Sequence, residues 1–184
     1  MSRRDRLRRV VILCRSFTVN LACFRAARRP EFSSLWDPQN KEASFWITAG
    51  NNFIDICVLE WCKLFADPKE KHHWYKIVSD PAKFQTELLG HLGIDAAAFD
   101  KEINVMRTYR DKFLAHLDSE RVMHPPALDT AKKAVWFYHH HVVNHEAQHG
   151  DLMNLPLTLE TGYTQCMDQV RGIYERNARD GHLR

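Results

Sequence analysis

Glycine and proline are scarce, seven of each in 184 residues, which excludes a collagen-like or low-complexity chain. Nowhere do apolar and polar residues alternate two by two between turn signals, so no sheet is predicted. Long apolar runs are missing too. The longest near the start, Val10 to Leu13 with Cys14, is closed by Arg15, too short for a signal-peptide core or a membrane span. The five cysteines, Cys14, Cys23, Cys57, Cys62 and Cys166, include no Cys-x-x-Cys pair and sit mostly in apolar runs. They read as small core residues in a reducing, cytoplasmic compartment, with no membrane partner expected. Acids are nearly absent from the first thirty residues, where Asp5 alone faces Arg3, Arg4, Arg6, Arg8, Arg9, Arg15, Arg25, Arg28 and Arg29. That segment attracts phosphates, imitates an organelle transit peptide, and reads equally well as a helix face whose arginines pair with acids elsewhere in the fold.

What is present is helical periodicity. The length suits one domain, spanning residues 1–184 with a frayed tail after about residue 177. Leu7, Val10, Val11, Cys14, Phe17, Leu21 and Phe24 recur at steps of three and four, predicting a helix over about 3–29 that Pro30 ends. From Phe45 to Phe65 the chain is apolar on nearly every side, which predicts a central, enclosed helix in which Asn51, Asn52, Asp55 and Glu60 need partners. Asp67-Pro68 breaks it. Further helices are predicted over about 81–91, stopped by Gly93, then from an Asp95 cap through Leu117, over about 127–148 after Pro125-Pro126, and over about 157–177 after Pro156. The fold class is therefore all-α, a single-domain bundle of five or six helices.

Within the fourth of these helices the chain reads Tyr109-Arg110-Asp111-Lys112-Phe113-Leu114-Ala115-His116-Leu117-Asp118. An Arg and a His on one helix, five residues between them and a polar residue directly after the Arg, resemble the signature of the HEPN superfamily. The wording is most similar to HEPN-like proteins of the bacterial abortive-infection U type, and Leu59 to Phe65 with His72-His73-Trp74 resembles a second stretch those proteins share. The spacing alone is a weak pattern, since Arg176 and His182 satisfy it in a polar tail.

Six residues of α-helix advance about 9 Å and turn about 240°, so Arg110 and His116 do not share a stripe, and one copy struggles to close both on one phosphate. The resemblance implies a homodimer in which each Arg approaches the other chain's His. It further implies an RNA substrate cut without a cofactor, a toxin or antiphage role, and an antitoxin partner. His116 then transfers protons, Arg110 holds the phosphate, and Asp111 orients Arg110 or a group of the partner chain. The family also holds inactive members that bind nucleotides or partners. His72-His73-Trp74 could stack a base or anchor a loop to the core.

A competing motif is His145-Glu146-Ala147-Gln148-His149, which matches the zinc-protease pattern of two His one turn apart with a Glu that activates water. Its context is poor, because Gly150-Asp151 follows and a third ligand would have to be Glu160 or Glu175. His141, His145 and His149 fall at steps of four, which reads as a His-rich helix face, and no metal is expected.

Overall fold

Ser2 and Asp5 open the first helix, α1 (Arg3–Ala27), with a reciprocal cap. The Asp5 amide donates to Ser2 Oγ at 3.1 Å and the Ser2 amide to Asp5 Oδ2 at 3.2 Å, satisfying two amides that a helix start leaves orphaned. The computed structural model describes residues 1–115, 125–155 and 158–180, and every regular element among them is a helix. The all-α prediction holds.

Leu7, Val10, Val11, Cys14, Phe17 and Leu21 are all buried, and Phe24 packs against them half-buried. The most apolar 18-residue window of α1 has a mean hydropathy of 1.5, long and apolar enough to cross a membrane, contrary to the reading of short runs. The stretch behaves as a core helix because 61% of that window is buried inside the protein, against α2 (Ala43–Trp61) and α7 (Glu160–Asp180). Pro30 ends the α-helical course as expected, but the chain then coils into a 3-10 turn, Pro30–Trp36, where a loop was expected.

Between α2 and α7 lie α3 (Trp74–Ile77), α4 (Pro81–Leu92), α5 (Ala96–Tyr109) and α6 (Asp129–His141). Asp80 caps α4 through the Lys83 amide at 3.0 Å, and Gly93 ends it at φ +68°, a left-handed conformation that glycine adopts without strain. Asp95 caps α5 through the Ala98 amide at 2.7 Å, as its sequence predicts. The one α-helix beyond the expected six is α3, a single turn that His73 starts by accepting the Tyr75 amide at 3.3 Å.

Three helices widen at their C-terminal ends. α2, α5 and α6 run on into π-helical turns at Cys62–Ala66, Arg110–Ala115 and Val142–Glu146. In such turns each amide reaches back five residues, a device found often at functional positions.

The main core joins Phe17 and its neighbours on α1 to Cys57, Val58 and Trp61 of α2, with Phe65, Phe84, Phe99 and Tyr138. Each large side chain there contributes on the order of 1.5–3 kcal/mol by leaving water. A second cluster gathers Phe32, Leu35 and Trp46 around Tyr174 of α7. α2 is less enclosed than its composition predicts. Its main packing partner is α1, and Phe45, Ile47 and Leu59 remain exposed at 64%, 41% and 37%. Of its four polar residues, Asn52 is exposed to solvent and the other three find partners. Asn51 accepts from Arg28 at 3.3 Å, Asp55 from Tyr109 at 2.8 Å, and Glu60 from Ser16 and Lys63 at 3.4 and 3.0 Å.

Candidate functional site

Arg110 stands where α5 gives way to its π-helical turn. Its Nε donates to Asp111 Oδ1 at 2.8 Å and its Nη1 to Asp67 Oδ2, and the side chain keeps 21% exposure. Nη2 makes no hydrogen bond among the described residues. Hydrogen bonding to Asp111 above all, with the charge and bond of Asp67 among the smaller contributions, holds the guanidinium even more firmly protonated than an ordinary arginine. Asp111, expected to orient Arg110, does touch it. Two carboxylates face one cation here, so this trio is net negative within a single copy.

The site is fixed by further ties between the ends of α5 and α2. Arg107 Nη2 donates to the Ala66 carbonyl, a group the end of a helix leaves without an amide partner. Tyr109 Oη donates to Asp55. Burial, slightly offset by that bond, raises the Asp55 carboxyl above its usual range, and burial pushes the Tyr109 phenol up as well. Asp67, read from the sequence only as a helix breaker, is the residue that sequence reasoning missed here. The available signal was an acid directly after an apolar run and before Pro68.

His116 lies outside the described residues, as do Leu117 and Asp118. The six-residue geometry invoked for Arg110 and His116 assumed an α-helix. The chain between them is π-helical over Arg110–Ala115, where each residue turns the coil through a smaller angle, so the angular separation of about 240° does not carry over.

The His72-His73-Trp74 group anchors a loop to the core. His73 is 5% exposed, its Nε2 lies 2.9 Å from the Phe65 carbonyl, and its Nδ1 accepts the Tyr75 amide. Together these require a neutral ring protonated at Nε2. Burial lowers the pKa of both His72 and His73. Trp74 stacks on Phe84 at 5.3 Å, and the His72 carbonyl accepts from Tyr138 at 3.2 Å.

The zinc-protease arrangement is not built. The helix ends at Glu146 and Ala147 is extended (φ −83°, ψ 139°), so His145 and His149 are not successive turns of one helix. The face at steps of four reaches only His141 and His145, whose rings lie 5.0 Å apart. Among the described residues no group of three or more His, Cys, Asp or Glu is disposed to hold a metal ion. Glu146 is engaged elsewhere, with a side chain 2% exposed. It accepts from Arg3 Nη2 at 2.5 Å, from the Ser79 amide at 2.7 Å and from Ser79 Oγ at 2.6 Å, and it lies 3.3 Å from His141 Nε2. Burial opposes its ionisation, but the Ser79, Arg3 and His141 bonds prevail and hold its pKa below the ordinary 4.5.

A cleft of about 300 Å³ opens between α4 and α6, lined among others by Glu87, His91, Lys133, Phe137 and His145; Arg110 and Asp67 do not line it. The basic N-terminal segment is largely consumed by the fold. Arg4 donates to the Gly150 carbonyl, Arg8 to the Asp151 and Met153 carbonyls, Arg25 to Asp129 at 2.6 Å, and Arg28 lies 5.2 Å over the Trp36 ring. The expected pairing with acids elsewhere in the fold is realised at Arg25 and at Arg3, which meets Glu146, while Arg4, Arg8 and Arg28 are taken up by carbonyls and an aromatic ring.

Comparison of the chain with protein-family models, with curated proteins and with solved structures finds no match.

Proposed function

We propose that the chain is a metal-independent endoribonuclease of the HEPN type, acting as a homodimer in which Arg110 of one copy and His116 of the other meet around one RNA phosphate. The observation that carries this reading is the fixing of Arg110. A partly exposed guanidinium is held by Asp67 and Asp111 on a π-helical turn, with Nη2 left over for a ligand. A planar cation clamped along two edges is pre-oriented for the charge that builds on a phosphate oxygen. The neighbouring 2′-hydroxyl oxygen attacks phosphorus, the 5′-oxygen leaves, and a cyclic phosphate remains. His116 takes the hydroxyl proton or supplies the one the leaving oxygen needs.

Dimer formation has its own support. Phe45, Asn52 and Leu59 are exposed and spaced seven residues apart along α2, the spacing of a helix-pairing seam. The Tyr109–Asp55 bond sets Arg110 beside that helix, so a second copy covering the seam brings its own Arg110 region nearby. A cytoplasmic toxin or antiphage effector, restrained by an antitoxin, is the role such an activity serves.

One observation favours a second reading, a non-catalytic module of the same type that binds a nucleotide or a partner: the two carboxylates on Arg110 repel a phosphate unless they are displaced. Cleavage of unstructured RNA in excess chelator separates the two. Chelator-resistant cleavage leaving cyclic phosphate ends, lost in both Arg110→Ala and His116→Ala, supports the ribonuclease. A folded, dimeric wild type that binds RNA without cutting it supports the module, and a strict monomer removes the composite site.

A further inference from the structure

Two cysteines far apart in sequence meet between the first and last helices. Cys23 on α1 and Cys166 on α7 bring their Sγ atoms to 3.6 Å. Cys166 Sγ donates in turn to the Val19 carbonyl at 3.7 Å, which leaves the Cys23 S–H to point at the Cys166 sulfur. A disulfide needs about 2.05 Å between sulfurs, so closure requires a shift of about 1.6 Å shared by two side chains. Rotation about the two Cα–Cβ bonds moves a sulfur by distances of this order. Of the remaining thiols, Cys57 is buried against the Phe17 carbonyl at 3.5 Å, and Cys14 and Cys62 are core residues.

We propose that Cys23 and Cys166 form a redox-responsive clasp, in which a peroxide-class oxidant converts the pair into an intrachain disulfide fastening α7 to α1. The two sulfurs have different roles. Cys166 is half-buried and meets the oxidant, whereas Cys23 is 8% exposed and resolves the product. Hydrogen peroxide transfers one oxygen to the Cys166 thiol, giving a sulfenic acid and water. Cys23 sulfur then attacks the Cys166 sulfur and the S–O bond breaks. The Cys23 proton leaves with the hydroxyl as a second water, so two thiols are oxidised by two electrons and one peroxide is reduced. Burial pushes the Cys23 thiol up to about 12, which slows its direct oxidation and also weakens it as a nucleophile, so the resolving step rests on its contact with the Cys166 sulfur at 3.6 Å.

The clasp matters because α7 is otherwise held largely by side-chain packing: Tyr174 in the second aromatic cluster, and Tyr163 edge-on to Trp136 at 5.8 Å. A bond joining residues 143 apart restricts the unfolded chain strongly.

The test treats the folded protein with hydrogen peroxide, alkylates free thiols, digests without reduction and maps linked peptides by mass spectrometry. The expected result is a single peptide pair joining Cys23 to Cys166, loss of two of the five titratable thiols, reversal by dithiothreitol, and a thermal midpoint raised by roughly 5–10 °C over the reduced form. Cys166→Ser, at a half-buried position, is the primary variant and abolishes both the linked peptide and the shift. Five thiols still titratable after oxidation, a bridge from Cys23 to Cys57, or covalent dimers in place of the intrachain link each overturn the proposal. Cys57→Ser retains the bridge if the assignment is right and loses it if Cys57 is the true partner.

Discussion

Arg110 at the end of α5 is bonded to Asp67, the residue that ends the π-helical turn after α2, so two helix ends 43 residues apart share one ion pair. The pair is mostly shielded, with side-chain exposures of 21% and 31%; removing Arg110 leaves two carboxylates without their cation, whereas removing Asp67 leaves Arg110 its bond to Asp111. Its strain-free replacement is not lysine, whose point charge cannot span Asp67 and Asp111 at once.

Arg110→Ala is therefore expected to lower unfolding stability by about 1–2 kcal/mol, and Arg110→Lys to recover less than half of that loss. On the ribonuclease reading, both variants lower cleavage at least about a hundredfold at unchanged fold, since neither offers a planar donor to phosphate. Urea unfolding beside single-turnover cleavage measures the two effects separately. Wild-type cleavage rates in Arg110→Ala would show that the guanidinium is a structural tie alone.

Glu146 ties the start of α1, the segment before α4 and the end of α6. Glu146→Gln keeps the shape but places an amide where the Ser79 amide and hydroxyl both donate, and the expected cost is about 2–4 kcal/mol. Arg3→Ala costs less, because Arg3 is 48% exposed and water replaces its partner. Since the folded pKa of Glu146 is depressed, its contribution is complete above the ordinary 4.5 and disappears as pH falls through the lower folded value. Denaturation midpoints of the Gln variant should accordingly approach wild type in strong acid, and a constant offset at every pH would contradict this assignment.

Helix existence was legible because apolar spacing and caps act locally: α1 from its stripe at steps of three and four, α4 from its Gly93 stop and α5 from its Asp95 cap. Arg110 and Asp111 were legible as a motif, and their mutual bond follows from adjacency. What could not be read depends on contacts across the chain. Asp67 gains its role from a residue 43 positions on, and the apolar spacing that predicts a helix does not tell a π-helical turn from an α-helical one. The zinc pattern at 145–149, already poor in its context, presumes a continuous helix, and this one stops at Glu146.

His73 makes the fold acid-sensitive. Its neutral tautomer donates to Phe65 and caps α3, and burial lowers its pKa below the ordinary 6.5, as it does for His72 and His141. A depressed histidine adds nothing further above 6.5, where both states are neutral. Below it the unfolded chain takes up protons first, so stability falls as pH drops from about 6.5 toward 5. His73→Asn retains an oxygen for the cap but loses the bond to Phe65, and should cost about 1–2 kcal/mol at pH 8. The same variant should show a shallower fall between pH 6.5 and 5. An unchanged slope would place the acid sensitivity in His72 and His141 instead.

Asp55 presents the opposite sign. Burial raises its pKa above the ordinary 3.8, partly offset by the Tyr109 bond, so the fold disfavours its charge. Stability is thus greater while the carboxyl is protonated and declines as pH rises through the folded value. Asp55→Asn removes the charge and keeps an oxygen to accept the Tyr109 hydroxyl at the 2.8 Å position, at the cost of seating two amide hydrogens. Because the site is half-buried, the expected gain at pH 7 is small, up to about 0.5 kcal/mol, and it vanishes near pH 3, where the wild-type side chain is already neutral. Paired urea titrations at the two pH values read this difference. A variant less stable than wild type at pH 7 would mean that the ionised carboxylate gains more from Tyr109 than it loses by burial, which would make the bond between α2 and α5 the stronger determinant of where Arg110 sits.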